Sequence, residues 1–339
     1  MLESYASLTD GPSVFRRTLA LMDRLESRPH NLFSKVLSTP LLLNPEALSL
    51  LRSLKEEQGT SILFDSGGYY VQIGRVKYHE LYMALLERYR QHRWADWYIL
   101  PDNVPTSQDS ATVVDAKVRE TVSFGAMFYA ELPEVLRERA VAVVHGHTRN
   151  QIEYCIEHYL RLGVRALGFG SFGTGGKGQE ANIATSSSVS HARAVVDITR
   201  RLGLRVHLFG LGAPSLVALL HGISAHSFDS ASWIKSAGFG QVHLPFTRGY
   251  NVTYRSGQST IQKGISWAEF SRLKRISQHE CYFCQDYGML TEAKMHRAIH
   301  NLVCITESVN HINEQRFELA RQVYENASPK YRSIASRCL

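Results

Sequence analysis

Three aspartates, a histidine and a glycine-serine pair each follow a short apolar run in this chain: Phe64-Asp65-Ser66, Leu100-Pro101-Asp102, Val144-His145-Gly146, Phe169-Gly170-Ser171 and Phe228-Asp229-Ser230. If those runs are parallel strands of one closed sheet, their C-terminal ends open on a single face and the side chains converge although they are far apart in sequence. Two carboxylates on opposite sides of a small cavity suit substitution at a sugar carbon. One attacks the anomeric centre, while the other protonates the leaving group and later deprotonates the incoming one. The remaining Asp and His, with exposed loop amides, then read the hydrogen-bonding edges of a planar polar ligand. Taken singly, an Asp after a strand is also an ordinary helix N-cap, and Asp65 and Asp229, each followed by Ser, could serve as caps. The joint pattern is harder to explain that way.

A second constellation lies near the C-terminus. His279-Glu-Cys281-Tyr-Phe-Cys284 is followed by His300 inside a helical stretch, Thr291 to Asn326. Four N/S ligands from a tight knuckle and one helix satisfy tetrahedral Zn²⁺ and leave no open position, so such a site is structural. A bare Cys-x-x-Cys can also be two buried thiols, and His296 or Cys304, one turn either side of His300, could replace it as ligand. His92, His221 and His311 read as surface or packed residues.

The elements that must position these groups are short. Apolar runs at Phe33–Leu37, Ile62–Asp65, Tyr98–Asp102, Val141–His145, Ala166–Gly170, Val206–Gly210 and Ala225–Asp229 lack strict alternation, the pattern of strands buried on both faces. Between them, helical periodicity covers Arg75–His92, Asn150–Leu162 with Gly163 as a stop, Ser186–Leu202 and Pro214–Gly222. Seven strands alternating with helices predict an α/β fold with a parallel sheet, and an eighth strand could lie near Pro40–Leu43 or Gln241–Phe246. A (β/α)₈ TIM barrel over residues 1–239, followed by a zinc-binding subdomain with a closing helix over 240–339, accounts for the order. A doubly wound open sheet shows the same alternation but calls for a Gly-x-Gly-x-x-Gly turn early in the chain. Here Gly168-Phe-Gly-Ser-Phe-Gly173 comes in the middle.

Composition narrows the class. With 339 residues, 44% of them hydrophobic, the chain can bury a large core, which excludes a disordered tail or a disulfide-stapled miniprotein. The five cysteines are too few and too scattered for a disulfide framework. No run approaches a membrane span, and Met1 to Pro12 is polar with no apolar signal core, so a cytoplasmic protein with no membrane partner is expected. A formal net charge of +7 leans toward an anionic partner.

Together these residues resemble the tRNA-guanine transglycosylase superfamily. The similarity runs from about Phe64 to Asn301 through Phe64-Asp-Ser-Gly-Gly-Tyr69, Leu100-Pro-Asp102, Val144-His-Gly146, Gly168-Phe-Gly-Ser-Phe-Gly173, Leu208-Phe-Gly-Leu-Gly-Ala-Pro214, Ser227-Phe-Asp-Ser-Ala-Ser232, the cysteine knuckle and Ile299-His-Asn-Leu302. The resemblance implies a TIM barrel with a zinc subdomain that exchanges a genetically encoded guanine for a 7-deazaguanine without cutting the backbone. It implies Asp229 as the nucleophile at C1′ and Asp65 as general acid/base. Ser66, Asp102, His145 and the amides around Gly170, Ser171 and Phe172 would hold the base, and His279, Cys281, Cys284 and His300 would bind Zn²⁺.

Two departures bear on the substrate. The tRNA enzymes carry Val-Gln-Gly where this chain has Val144-His145-Gly146, and they open the knuckle with Cys where it has His279. The chain also ends soon after the knuckle, without the added RNA-binding domain of archaeal members. These features look more like the DNA-acting paralogues, which insert 7-cyano-7-deazaguanine (preQ0) in place of guanine. DNA is therefore the expected partner, with tRNA the alternative. A non-catalytic partner subunit of the superfamily is a third reading, against which Asp65 and Asp229 both stand. A DNA-opening partner protein and a homodimer are compatible with the sequence. The target nucleotide must be flipped or single-stranded, which costs a few kcal/mol of unstacking. Lys177, Arg248, Lys263, Arg272, Lys274 and Arg275 are candidate phosphate contacts, and Tyr69 and Tyr70 could stack on the base.

Overall fold

Strands β1 (Glu3–Ser7), β2 (Lys35–Ser38), β3 (Ser61–Phe64), β4 (Trp97–Ile99), β5 (Ala140–Val144), β6 (Ala166–Phe169), β7 (Arg205–Leu208) and β8 (Ser227–Ser230) pair in parallel, in chain order, into a closed barrel. The computed structural model describes residues 1–8, 12–22, 32–170, 185–253, 264–327 and 338. Alternate residues of each strand face opposite ways. Tyr5, Leu37, Leu63, Ile99, Val141, Val143 and Ala166 form an inner core with Trp97 and Phe209. Their neighbours Val36, Ile62, Phe64, Tyr98, Ala142, Leu167, Val206 and Phe228 belong to the larger core shared with the helices. Burial on both faces explains why the strands read as unbroken apolar runs.

The eighth strand is neither of those expected. It is β1 at the N-terminus, which closes the ring between β2 and β8 with Ala6 opposite Val36 and Tyr5 opposite Asp229. Its sequence, Glu-Ser-Tyr-Ala-Ser, carries polar residues that sit inside the barrel or at its rim, so no apolar run marks it. The segment at Pro40–Leu43 instead leads into helix Pro45–Gln58, capped by Asn44. Gln241–Val242 pairs antiparallel with Tyr250–Asn251, outside the barrel.

Helices Tyr78–Gln91, Arg149–Arg161 and Ser186–Arg201 form close to where their periodicity puts them, the last two capped by Thr148 and Thr185. The stretch expected as one helix from Thr291 to Asn326 is instead three, Tyr287–Glu292, Lys294–Asn313 and Phe317–Ala327. The second break turns on Gln315 in the left-handed region, φ 61°. Helix Lys294–Asn313 lies along helix Ser232–Gly238, which follows β8. The Asn313 side chain clamps Leu2, accepting from its N–H and donating to its carbonyl, both at 2.9 Å. Asn301 donates to the Trp233 and Gln241 carbonyls and accepts the His243 N–H, tying the C-terminal elements to the barrel. Among the described residues no helix is long and apolar enough to cross a membrane.

Candidate active site and metal centre

Asp65 stands one residue beyond β3, its N–H donating to the Ser38 carbonyl at 2.9 Å so that the ladder carries it to the rim. The turn behind it needs both following glycines. Gly67 takes φ 78°, and a Cβ on Gly68 would collide with Asp102 Oδ1. The approach lets Ser66 Oγ donate to Asp102 Oδ1 at 2.6 Å while accepting the Gly68 N–H at 3.2 Å. Asp102 lies beyond β4 in a segment held by the Tyr78 hydroxyl on the Pro101 carbonyl, 2.9 Å, and by the Asn103 N–H on Thr121, 3.0 Å. His145, directly after β5 and fully buried, faces Asp102 Oδ2 through Nε2 at 2.8 Å. Gly170 follows β6 beside it, and a Cβ there would come within 3.2 Å of His145 Cε1. Ser66, Asp102, His145 and Gly170 thus form one continuous edge; Ser171 and Phe172 lie outside the described residues.

Asp229, on β8, is 7% exposed and held by three donors. Its Oδ2 accepts the Ser7 hydroxyl at 2.8 Å, and its Oδ1 accepts the Gly210 N–H at 2.7 Å and faces His207 Nε2 at 3.3 Å. Helix Ser232–Gly238 begins with Ala231 at its N-cap and no side-chain cap bond, so Asp229 is not its cap. Ser7, His207 and the Gly210 amide were not among the expected site residues. Ser7 sits on the strand the sequence conceals. His207 lies inside an apolar run, where only its alternation with inward-facing Phe209 signals that it points into the barrel.

The two carboxylates expected to act together differ in environment. Burial pushes the Asp65 carboxyl up to about 7, and the charges of Asp102 and Asp229 add to the rise, outweighing the Gly67 and Ser66 amides that favour the anion. Asp65 directly after β3, Asp102 beyond β4 and Asp229 on β8 all stand at the C-terminal end of the same parallel barrel. Asp65 is thereby a proton donor and acceptor near neutral pH, whereas Asp229 is surrounded by donors that suit an anion. His147, two residues on from His145, gives its backbone N–H to Gln151 at 3.0 Å. Among the described residues the one cluster able to hold a metal lies elsewhere.

That cluster is His279, Cys281, Cys284 and His300, all buried, with one donor atom each inside a 4.8 Å sphere of mutual distances. A tetrahedral ion with metal–ligand bonds of about 2.0–2.3 Å separates its ligands by roughly 3.3–3.8 Å. Cys281 Sγ lies 3.6 Å from Cys284 Sγ and 3.3 Å from His300 Nδ1, and His279 Nε2 lies 3.4 Å from His300 Nδ1. The far nitrogens are engaged as metal-bound imidazoles require: His279 Nδ1 meets Glu307 at 2.6 Å, and His300 Nε2 meets the His243 carbonyl at 2.8 Å. Hydrogen bonding from Cys281 draws the Cys284 thiol well below its ordinary value, toward the thiolate a metal binds. The residues therefore fit an ion. Of the alternative ligands, His296 turns away to the Met289 carbonyl, and Cys304, 3.8 Å from His279 Nε2 but 3.7 Å from the far nitrogen of His300, borders the four-residue cluster without belonging to it.

Two of the basic candidates are already paired, Arg272 with Glu269 at 2.8 Å and Lys274 with Glu280 at 2.9 Å. Arg248 is exposed and lies over the Tyr250 ring at 5.5 Å; Lys177 and Lys263 lie outside the described residues. Tyr69 packs edge-on against Tyr70, with Lys235 above its ring at 5.9 Å. Comparison of the sequence with models of known protein families and with curated proteins finds no match.

Proposed function

We propose that this protein is a guanine transglycosylase that exchanges guanine for 7-cyano-7-deazaguanine in DNA. The observation that carries this is the pair of unlike carboxylates at one barrel mouth, Asp65 with its carboxyl pushed up to about 7 and Asp229 anchored by Ser7, Gly210 and His207. Asp229 attacks C1′ as the C1′–N9 bond breaks. The base leaves with the bonding electrons and takes its proton from Asp65. The incoming base returns a proton to Asp65, bonds to C1′ through N9 and releases the Asp229 carboxylate. Asp102, oriented by Ser66 and His145, has oxygen lone pairs left over for the N–H edge of a purine-like base. The choice of DNA rests on His145 at the position where the tRNA enzymes carry Gln, and the +7 net charge suits any polyanion.

In the same proposal the closed S₂N₂ centre holds Zn²⁺, which suits this donor set and leaves no position for chemistry. Its residues anchor the C-terminal elements.

Labelled guanine and labelled 7-cyano-7-deazaguanine, each offered with single-stranded DNA, duplex DNA or tRNA, test the assignment. Label is expected in DNA, and Asp229→Ala should abolish incorporation while leaving the bound zinc unchanged. Label entering tRNA alone would move the activity to the alternative substrate. No exchange with any nucleic acid, or an active Asp229→Ala, would end the transglycosylase assignment.

A further inference from the structure

The nucleophile's neighbours suggest how the covalent stage is brought to an end. We infer that His207, its ring fixed by Ser227, is a positioning residue that stabilises Asp229 as the departing group in the second displacement; this rests on the transglycosylase proposal. The two carboxylate oxygens are unequally dressed. Oδ1 accepts the Gly210 N–H at 2.7 Å and faces His207 Nε2 at 3.3 Å, whereas among the described residues Oδ2 accepts only the Ser7 hydroxyl at 2.8 Å, which can rotate aside. Oδ2 is therefore the oxygen free to bond to C1′, and Oδ1 becomes the carbonyl oxygen of the resulting ester.

The ring can be oriented from its own contacts. Facing a carboxylate oxygen, Nε2 is the nitrogen that carries a proton, and Nδ1 on the other side of the ring meets the Ser227 hydroxyl at 2.9 Å. Tyr5 edge-on at 5.6 Å and Phe209 at 4.8 Å confine the ring inside the barrel. When the incoming base attacks C1′, the C1′–Oδ2 bond breaks and its electron pair returns to the carboxylate. Negative charge then develops on a group whose Oδ1 already faces two fixed donors, the arrangement that stabilises oxyanions elsewhere. The same donors draw charge from the free carboxylate and so temper its attack. Removing one of them should slow release from the adduct more than it slows adduct formation.

The test measures two quantities with a guanine-containing single-stranded oligonucleotide and labelled 7-cyano-7-deazaguanine: steady-state exchange, and the fraction of protein caught as a covalent DNA adduct on denaturing gels. His207→Phe should lower exchange about tenfold or more, the usual worth of a charge-assisted hydrogen bond. It should also raise the trapped fraction above wild type. His207→Gln, whose amide can put an N–H near the Nε2 position, should restore exchange and lower the trapped fraction. Ser227→Ala, which leaves the ring free to change tautomer, should shift both quantities the way Phe does, by less. If His207→Phe misfolds, as shown by thermal melting and metal content, Gln and Ser227→Ala carry the comparison. Wild-type exchange in His207→Phe, adduct formation lost in step with exchange, or Gln behaving like Phe would each overturn the role. A wild-type protein that neither exchanges base nor forms adduct fails at the underlying proposal instead, which separates the two.

Discussion

Asp65 is where chemistry and stability oppose each other most directly. Its carboxyl is pushed up to about 7 by burial first and by Asp102 and Asp229 second. Below about pH 4 the group is neutral in both the folded and unfolded chain. Between its ordinary value near 3.8 and about 7 the unfolded chain loses the proton while the folded protein keeps it, so stability falls as pH rises through that window. Asp65→Asn should remove this loss. At pH 8 the variant is expected to be more stable than wild type by about 1–3 kcal/mol, with the gain shrinking toward zero at pH 4. Denaturant titrations at the two pH values measure it, and an equal gain at both would mean that the ionised carboxylate is not what destabilises the fold. The variant should be inactive in base exchange, as expected where a strained charge serves the reaction. In the wild type, exchange should fall as pH rises through about 7, because the first displacement of the proposed reaction needs Asp65 protonated.

Among the elements, the β3 turn shows most plainly how local sequence builds the site. Ser66-Gly67-Gly68 lets the turn close onto Asp102, and the space where a Gly68 side chain would sit is taken by that carboxylate. Gly68→Ala should therefore cost about 1–3 kcal/mol of stability and weaken base binding by displacing Asp102. Gly74→Ala gives the contrast: Gly74 has a positive φ, 72°, and an added Cβ there meets nothing within 4 Å, whereas Gly68 lies outside the left-handed region and its loss comes from the collision. Gly74→Ala should cost stability without touching base affinity, and a Gly68→Ala protein with wild-type denaturant midpoint and base affinity would mean that Asp102 gives way without cost. The site residues legible in the sequence are those at the ends of apolar runs, where Asp65, Asp102, His145 and Asp229 interrupt hydrophobic stretches. His207 and Ser227 were hidden because they lie within strands, where direction depends on register. β1 was hidden for a related reason, since its inner face presents Tyr5 and Ser7 to the barrel and its polar composition resembles a loop. The helix break at Gln315 has neither Gly nor Pro to announce it, so Thr291 to Asn326 reads in the sequence as one helical stretch.

At the scale of the whole molecule, the metal centre and the barrel mouth are joined through the N-terminal strand. Helix Lys294–Asn313 carries His300 to the centre and, at its other end, the Asn313 side chain that clamps Leu2. Beyond Leu2 runs β1, paired on both sides, and its last residue, Ser7, gives its hydroxyl to Asp229. A closed four-ligand site adds its binding free energy to the folded state, so the fold around it weakens when the ion is withdrawn. Its loss should be felt at Asp229, the nucleophile of the proposed exchange, although no ligand of the ion belongs to the barrel mouth. Chelation, or Cys281→Ala, is expected to lower the melting temperature by about 5 °C or more. Amide exchange should rise first in Lys294–Asn313 and then in Glu3–Ser7, while β4 and β5, on the far side of the barrel, stay protected. Base exchange should fall with protection of β1, and returning zinc should restore both together. Hydrogen exchange that loosens the metal centre but leaves β1 and activity unchanged would show that the clamp at Leu2 transmits nothing, and that the C-terminal elements are bound to the barrel without supporting its chemistry.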